Sequence, residues 1–315
     1  MDIKLYGIRG SIASPMKNQE YKAKVLSILE KFKNSGETDA REFWKKLPET
    51  LKFITGGDTT CVSIVSSQGN RYMIDAGTGA RILGDEMMKQ EYGKGHGVLQ
   101  VFITHTHWDH IQGIPFFKPL YIPGNEIIFH SAYADLEKRL EKQQEPEFFP
   151  ITFHALGSTK TFYTLKANDS IEFSDGMMVQ SRPLKHPGGS TAFKFTENGK
   201  SFVFATDVEF TGGDLEYAKT LADFFGNADV LVIDSQYTLD ESFAKFDWGH
   251  TSYTMAVNCA SLWKVKNLVL THHEPAYEDE KTNEILHEAR EHYKMMDNSG
   301  QMNIFLAREG LHIQL

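Results

Sequence analysis

Cysteine is scarce in this chain: there are two, Cys61 and Cys259, far apart and with no CxxC spacing. That number excludes a disulfide scaffold, and the two read as reduced, buried thiols. Long apolar runs are missing too. No stretch approaches the ~20 residues that would span a membrane. The opening residues Met1 to Gly7 carry no basic segment followed by an apolar run, so no signal peptide is read, and the expectation is a soluble cytoplasmic protein. Positive charge is in deficit, with 33 Lys and Arg against 42 Asp and Glu and a net charge of -9. A basic face for gripping a nucleic-acid backbone is therefore not expected. A small anionic substrate is still allowed, because bound dications can supply positive charge locally. Internal repeats and low-complexity tracts are absent.

What is present is an ordinary globular balance: 315 residues, 41% hydrophobic and 24% charged. Residues 3–8 read as a first strand. Tyr21, Val25, Leu26, Ile28, Leu29 and Phe32 recur at helical spacing over about 20–33, and Asn34-Ser35-Gly36 closes that helix. A second helix is expected over 39–46, stopped by Pro48. This makes a helical insertion of about residues 16–51 after the first strand, placed as a lid or a dimer contact. Strands follow at 60–66 and 71–75 around a Gln68-Gly69-Asn70 turn, then a helix at 79–90 and a strand at 98–104. Later strands are expected at 126–130, 170–173, 177–184, 190–195, 201–206, 230–234, 267–271 and 303–306. Later helices are expected at 132–141, 214–225, 252–263 and 283–296. Hairpins in the first half and mixed strands and helices in the second suggest two sheets face to face with helices outside.

The chemistry-bearing stretch is His105-Thr106-His107-Trp108-Asp109-His110. Imidazole and carboxylate are good ligands for zinc and related dications. In an extended segment His105 and His107 project the same way, which suits two ligands of one ion. Asp109 and His110 come where the chain turns and can face a second ion. Three further candidates sit at strand ends: His186 in Lys185-His186-Pro187-Gly188-Gly189, Asp207 after Phe202–Thr206, and His272 after Leu268–Thr271.

The order HxHxDH, His, Asp, His resembles the metallo-β-lactamase superfamily, over nearly the whole chain. Within it the sequence is similar to the phosphodiesterase branch, with tRNase Z and cyclic-nucleotide phosphodiesterase-like hydrolases. Gly7-Ile8-Arg9-Gly10-Ser11, Gly56-Gly57-Asp58-Thr59-Thr60-Cys61, Ile74-Asp75-Ala76-Gly77-Thr78-Gly79 and Leu270-Thr271-His272-His273-Glu274-Pro275 support it. The resemblance implies an α+β, four-layer αββα sandwich filling residues 1–315 as one hydrolase domain. It implies two divalent metal ions, zinc first, with manganese or iron as alternatives. His105, His107 and His186 would hold one, Asp109, His110 and His272 the other, and Asp207 would bridge. Asp75 would lie beneath and orient a ligand histidine. Of the doublet His272-His273, His272 matches the family's strand-end position. A homodimer is a further family expectation.

The expected reaction is hydrolysis of a phosphodiester by hydroxide held between two dications about 3.5–4 Å apart. Asp109 would orient that hydroxide or take its proton. Gly249-His250-Thr251-Ser252 precedes a helix with Thr251 or Ser252 as N-cap. In tRNase Z-like enzymes a histidine at this place is the general acid, and His250 resembles it. There the histidine has an acidic companion; here Asp234 is offset in register, which weakens the tRNase Z match and leaves the companion open. The favoured substrate is a small, cyclic or linear nucleotide or similar ester. tRNA 3′-processing is the alternative, and it lacks a convincing basic arm. Lactone, lactam or thioester hydrolysis is a third reading, against which the Gly-His-Thr-Ser motif argues. A scaffold without chemistry is disfavoured because no expected ligand is missing. The aromatic segments at 116–121 and 147–150 read first as core filler, with nucleobase stacking as the alternative. His96, His130, His154, His287, His292 and His312 read as structural or surface residues.

Overall fold

The computed structural model describes residues 1–296 and 301–315. Strand β1 (Asp2–Gly7) is followed by three helices, α1 (Asn18–Ser35), α2 (Ala40–Lys46) and α3 (Glu49–Lys52). Then come β2 (Cys61–Val65), β3 (Arg71–Ile74), α4 (Gly79–Met87), β4 (Val98–Ile103), a single turn α5 (Trp108–Ile111), β5 (Glu126–Ser131), α6 (Leu136–Gln143) and β6 (Thr159–Thr164). The second half contains β7 (Ser170–Glu172), β8 (Met178–Leu184), β9 (Ser190–Glu197), β10 (Lys200–Ala205), α7 (Leu215–Thr220), α8 (Ala222–Phe225) and β11 (Val230–Asp234). It ends with α9 (Leu239–Ala244), α10 (Tyr253–Leu262), β12 (Asn267–Thr271), α11 (Asp279–Met295), β13 (Asn303–Leu306) and β14 (His312–Gln314).

The strands form two seven-stranded sheets, β14-β1-β2-β3-β4-β5-β6 and β13-β12-β11-β10-β9-β8-β7. The alternation of each central strand explains the layering. In β10, Phe202 and Phe204 face the other sheet, while Val203 and Ala205 face helices. In β11, Val230 and Val232 point inward, and Leu231 and Ile233 point to the helix side. On the first sheet, Tyr72, Ile74 and Phe102 enter the layer between the sheets, and Met73, Leu99, Val101 and Ile103 pack with Ala80, Leu83 and Met87 of α4. Apolar on both faces, these strands must be covered twice, which gives the αββα order.

β3 to β6 run parallel, as do β10 to β13. Their carboxyl ends therefore line up on one edge of the sandwich, where ligands bind in such sheets. β14 pairs antiparallel with β1, so the last strand joins the first sheet.

Some expectations are corrected. The helix expected at 214–225 is two, broken at Leu221 (φ -94°, ψ 3°). The helix expected from 132 begins at Leu136. β6, β14, α3, α5 and α9 were not foreseen. The three helices after β1 expose one face: no residue of α1 is buried, and only Phe43 is buried in α2. Lys24 Nζ meets Asp279 at 2.6 Å and ties α1 to the start of α11. Among the described residues no helix is long and apolar enough to cross a membrane.

Candidate metal centre

The site begins with chain direction. β4 delivers His105 to the carboxyl edge, and the turn α5 then lifts Asp109 and His110 out of the extended path. The other groups arrive singly at strand ends. Asp75 follows β3, Asp207 lies two residues past β10, and His272 follows β12. All three are left-handed, with φ of 54°, 57° and 63°. Such a residue costs of order 1–3 kcal/mol and persists where its surroundings hold it. The kink turns each side chain from the strand end toward a common point.

Seven side chains meet there. The ligand atoms of His105, His107, His186 and Asp207 lie within 4.8 Å of one another, and so do those of Asp109, His110, Asp207 and His272. Asp207 belongs to both groups, and with His272 it also lies within the same distance of the ligand atoms of Asp234 and His250. His273, the other half of the doublet, turns away, with Nε2 3.0 Å from Ala307 O. Burial pushes its pKa down to about 3. Elsewhere, among the described residues, Glu137, Glu141 and His154 also cluster, at the surface.

The outward nitrogens of two of the imidazoles are occupied. His110 Nδ1 is 2.7 Å from Asp75 Oδ2, and Asp75 also accepts from Thr104 N (2.8 Å) and Thr104 Oγ1 (2.7 Å). His186 Nδ1 donates to Gly249 O at 2.8 Å. In His110 and His186 these bonds hold Nδ1 on the outside and turn Nε2 inward. Inward, donors face donors: His186 Nε2 lies 3.1 Å from His107 Nδ1, and His110 Nε2 lies 3.3 Å from His272 Nε2. His105 Nε2 is buried and has no hydrogen-bond partner, while Asp207 Oδ2 faces the Nε2 atoms of both His110 (3.0 Å) and His272 (3.2 Å). A buried orphan acceptor costs free energy unless something positive meets it. The donor set of nitrogens and carboxylate oxygens fits divalent cations, and zinc, manganese and iron all accept it.

Electrostatics divides the two groups. Burial holds the pKa of His105, His107 and His186 below the usual histidine value, which keeps those rings neutral. Burial also opposes charge on His110 and His272, but there the carboxylates outweigh it. Asp207, Asp109 and Asp75 hold His110 well above the usual value, and Asp207, Asp109 and Asp234 push His272 up to about 9. Burial resists ionisation of Asp109 and Asp207 too, yet the surrounding histidines pull both well below the carboxylate range.

His250 stands beside this centre. Its ring stacks on that of His272 with centroids 5.0 Å apart. Its Nδ1 is 2.8 Å from Asp234 Oδ2. The offset of Asp234 in sequence therefore does not keep it from His250, which corrects the expectation drawn from register. Asp234 also accepts from the backbone of Asp207 (3.1 Å), Gln236 (3.2 Å) and Thr251 (3.1 Å). Asp109 has an outer partner that sequence reasoning missed: Ser11 N donates to its Oδ2 at 2.7 Å. Gly10 packs so close to the His272 ring that a Cβ there would sit 2.5 Å from Nδ1. The glycine in Gly7-Ile8-Arg9-Gly10-Ser11 was the available signal. The aromatic segments are corrected in part: Phe117 is core, but Phe116 and Phe148 are exposed, and Phe116 meets Phe149 edge-on at 5.5 Å.

Two such sheets, carrying strand-end histidines and aspartates on one edge, define a metal-dependent hydrolase of the metallo-β-lactamase fold. The family model for the beta-lactamase superfamily domain matches residues 70–273, and the chain belongs to that family. The chain is 24% identical over 299 residues to a ribonuclease Z from Prochlorococcus marinus subsp. pastoris, covering 78% of this chain and 91% of that protein. Its fold is shared with the short form of human tRNase Z (TM-score 0.61, 18% identity, 100% and 99% of the two chains). It is shared equally with unliganded yeast PDE1 (TM-score 0.63, 12% identity, 100% and 99%).

Proposed function

We propose that the protein is a dinuclear phosphodiesterase that cleaves a small, cyclic or linear nucleotide or a similar ester. His105, His107 and His186 would hold one dication, Asp109, His110 and His272 the other, and Asp207 would bridge them. When bound, two dications supply Lewis acidity to a phosphoryl oxygen and lower the pKa of a water between them. Asp109, steadied by the Ser11 amide, is placed to orient the attacking water and take its proton. His250 is placed to protonate the departing oxygen. Its Nδ1 proton is engaged by Asp234, so Nε2 is the nitrogen left to face the cleft.

The His250–Asp234 pair carries the reading. An alkoxide is a poor leaving group and needs a positioned acid, and a buried carboxylate behind the imidazole is how one is held in place. His250→Ala should leave metal content intact and lower turnover of bis-p-nitrophenyl phosphate or a cyclic nucleotide by ~10²–10⁴. An unchanged rate would remove the acid role.

A second reading, tRNA 3′-processing, is supported by relatives named ribonuclease Z that align over most of the chain. The net charge of -9 counts against a long polyanion. Assaying a pre-tRNA beside 2′,3′- and 3′,5′-cyclic nucleotides separates the two.

A further inference from the structure

Nothing in the proposed chemistry uses Trp248, yet it stands 62% exposed two residues before His250. Its neighbours Phe243 and Phe246 are 74% and 58% exposed. The backbone that carries Trp248 is pinned. Trp248 N donates to Lys245 O at 3.2 Å, Asp247 N donates to Glu209 Oε1 at 2.8 Å, and Gly249 O accepts from His186. A large ring held out to solvent on a fixed backbone is placed to be covered by something.

The wall between this ring and the metal centre is continuous. The His250 ring lies 5.7 Å from that of Tyr237. Lys245 Nζ sits 4.3 Å above Tyr237 and 5.8 Å from the Trp248 ring, and is 3.2 Å from Glu274 Oε2. Gln236 Nε2 donates to Glu274 Oε2 (3.2 Å) and to Ser11 Oγ (3.3 Å), and Ser11 N holds Asp109. Gln236 is only 2% exposed, and its Oε1 is buried without a hydrogen-bond partner among the described residues.

We propose that this wall is a nucleoside subsite, in which the base stacks on Trp248 beside Lys245 and a sugar hydroxyl donates to Gln236 Oε1. An exposed indole face takes any flat heterocycle. The orphan amide oxygen of Gln236 needs a hydroxyl or amine donor. The charged Lys245–Glu274 pair and the Gln236 amide make this wall polar, which counts against an apolar occupant. The proposal rests on the phosphodiesterase reading for the fate of the phosphate, though not for how the base is held.

Calorimetric titration of the metal-loaded protein tests it without turnover, using adenosine 5′-monophosphate and ribose 5-phosphate. The monophosphate with its base should bind about tenfold tighter, in the range of one base–aromatic stack. Trp248→Ala should erase most of that preference, and Trp248→Phe should retain most of it. Gln236→Leu should weaken both ligands alike, since both carry the sugar. Equal binding of the two ligands to the wild type, or a preference that survives Trp248→Ala, overturns the base site. Unchanged affinities in Gln236→Leu overturn the hydroxyl contact. A Trp248-dependent preference in a protein that cleaves no phosphodiester keeps the subsite and removes the phosphodiesterase reading instead.

Discussion

The two ligand groups around Asp207 are built differently. His105, His107 and His186 form the open one: His107 is exposed, His186 is half-buried, and Asp207 is their one carboxylate. Asp109, His110 and His272 form the deep one, entirely buried, with two carboxylates in the group and Asp75 and Asp234 behind them. More negative charge in a drier place binds a dication more strongly. The outer partners differ in the same sense. The deep group leans on carboxylates and the Ser11 amide, while His186 leans on the carbonyl of Gly249. The two ions should therefore be unequal, with the open one leaving first under graded chelation.

Removing the shared residue abolishes the comparison, so Asp207→Ala has the largest expected effect. Both groups lose their common oxygen, and bound metal should fall from two ions toward one or none by elemental analysis. Turnover should drop by about 10³-fold or more, the upper end for loss of one electrostatic stabiliser. Two ions retained at full affinity would show that Asp207 does not bridge.

Asp75→Asn acts directly on the deep group and reaches the open one only through Thr104, whose Oγ1 is 3.1 Å from His105 Nδ1. The substitution keeps the shape but weakens the bond to His110 Nδ1, and loss of such a partner costs about 10–100-fold in metal affinity. Metal titration should then show the deep ion weakened toward the open one, narrowing the gap between them. An unchanged pair of affinities would refute the role given to Asp75.

Gly249→Ala acts on the open group alone. Gly249 has φ +90°, and a Cβ there would lie 2.3 Å from His186 Nδ1. His186 must shift, and displacement by about 1 Å can cost up to 10²-fold in rate, so a loss of about tenfold is expected. The open ion should weaken while the deep ion holds. The reverse would mean that the assignment of ligands to groups is wrong.

How much of this was legible depended on whether chemistry was contiguous. The run from His105 to His110 announced itself because one strand and one turn carry four ligand types. His186, Asp207 and His272 were visible through a regularity, since each ends an apolar strand. The left-handed kinks that aim Asp207 and His272 have no sequence signal, because neither is glycine. The Asp234–His250 pair was left open for a similar reason. Its members are brought together by the end of β11 and the entry to α10 with α9 between, and counting along a strand cannot measure that closure. Ser11 was hidden because it acts through its backbone N–H. The missed strand β6, Thr-Lys-Thr-Phe-Tyr-Thr, is an edge strand with no fully buried position, so it lacks the apolar alternation that marked the others.

A buried histidine with no carboxylate near it supplies the control for the electrostatic half of the comparison. His130 lies between Phe102 and Tyr163, stacked at 4.6 and 5.4 Å, with Gln100 Oε1 at 2.7 Å from its Nε2. Burial alone pushes its pKa down to about 4, opposite to His110 and His272, whose carboxylates reverse the sign. The unfolded chain takes up this proton near pH 6.5, whereas the folded chain resists it until about pH 4. His130 therefore contributes stability that is full above pH 6.5 and is lost as pH falls toward 4. At about 1.36 kcal/mol per unit, the loss between pH 7 and pH 5 is about 2 kcal/mol. His130→Phe keeps the stack and removes the titration. Urea unfolding should show the wild type losing about 2 kcal/mol more than the variant over that interval. Parallel losses would mean that His130 titrates normally in the fold, and the contrast with the carboxylate-backed histidines would lose its reference.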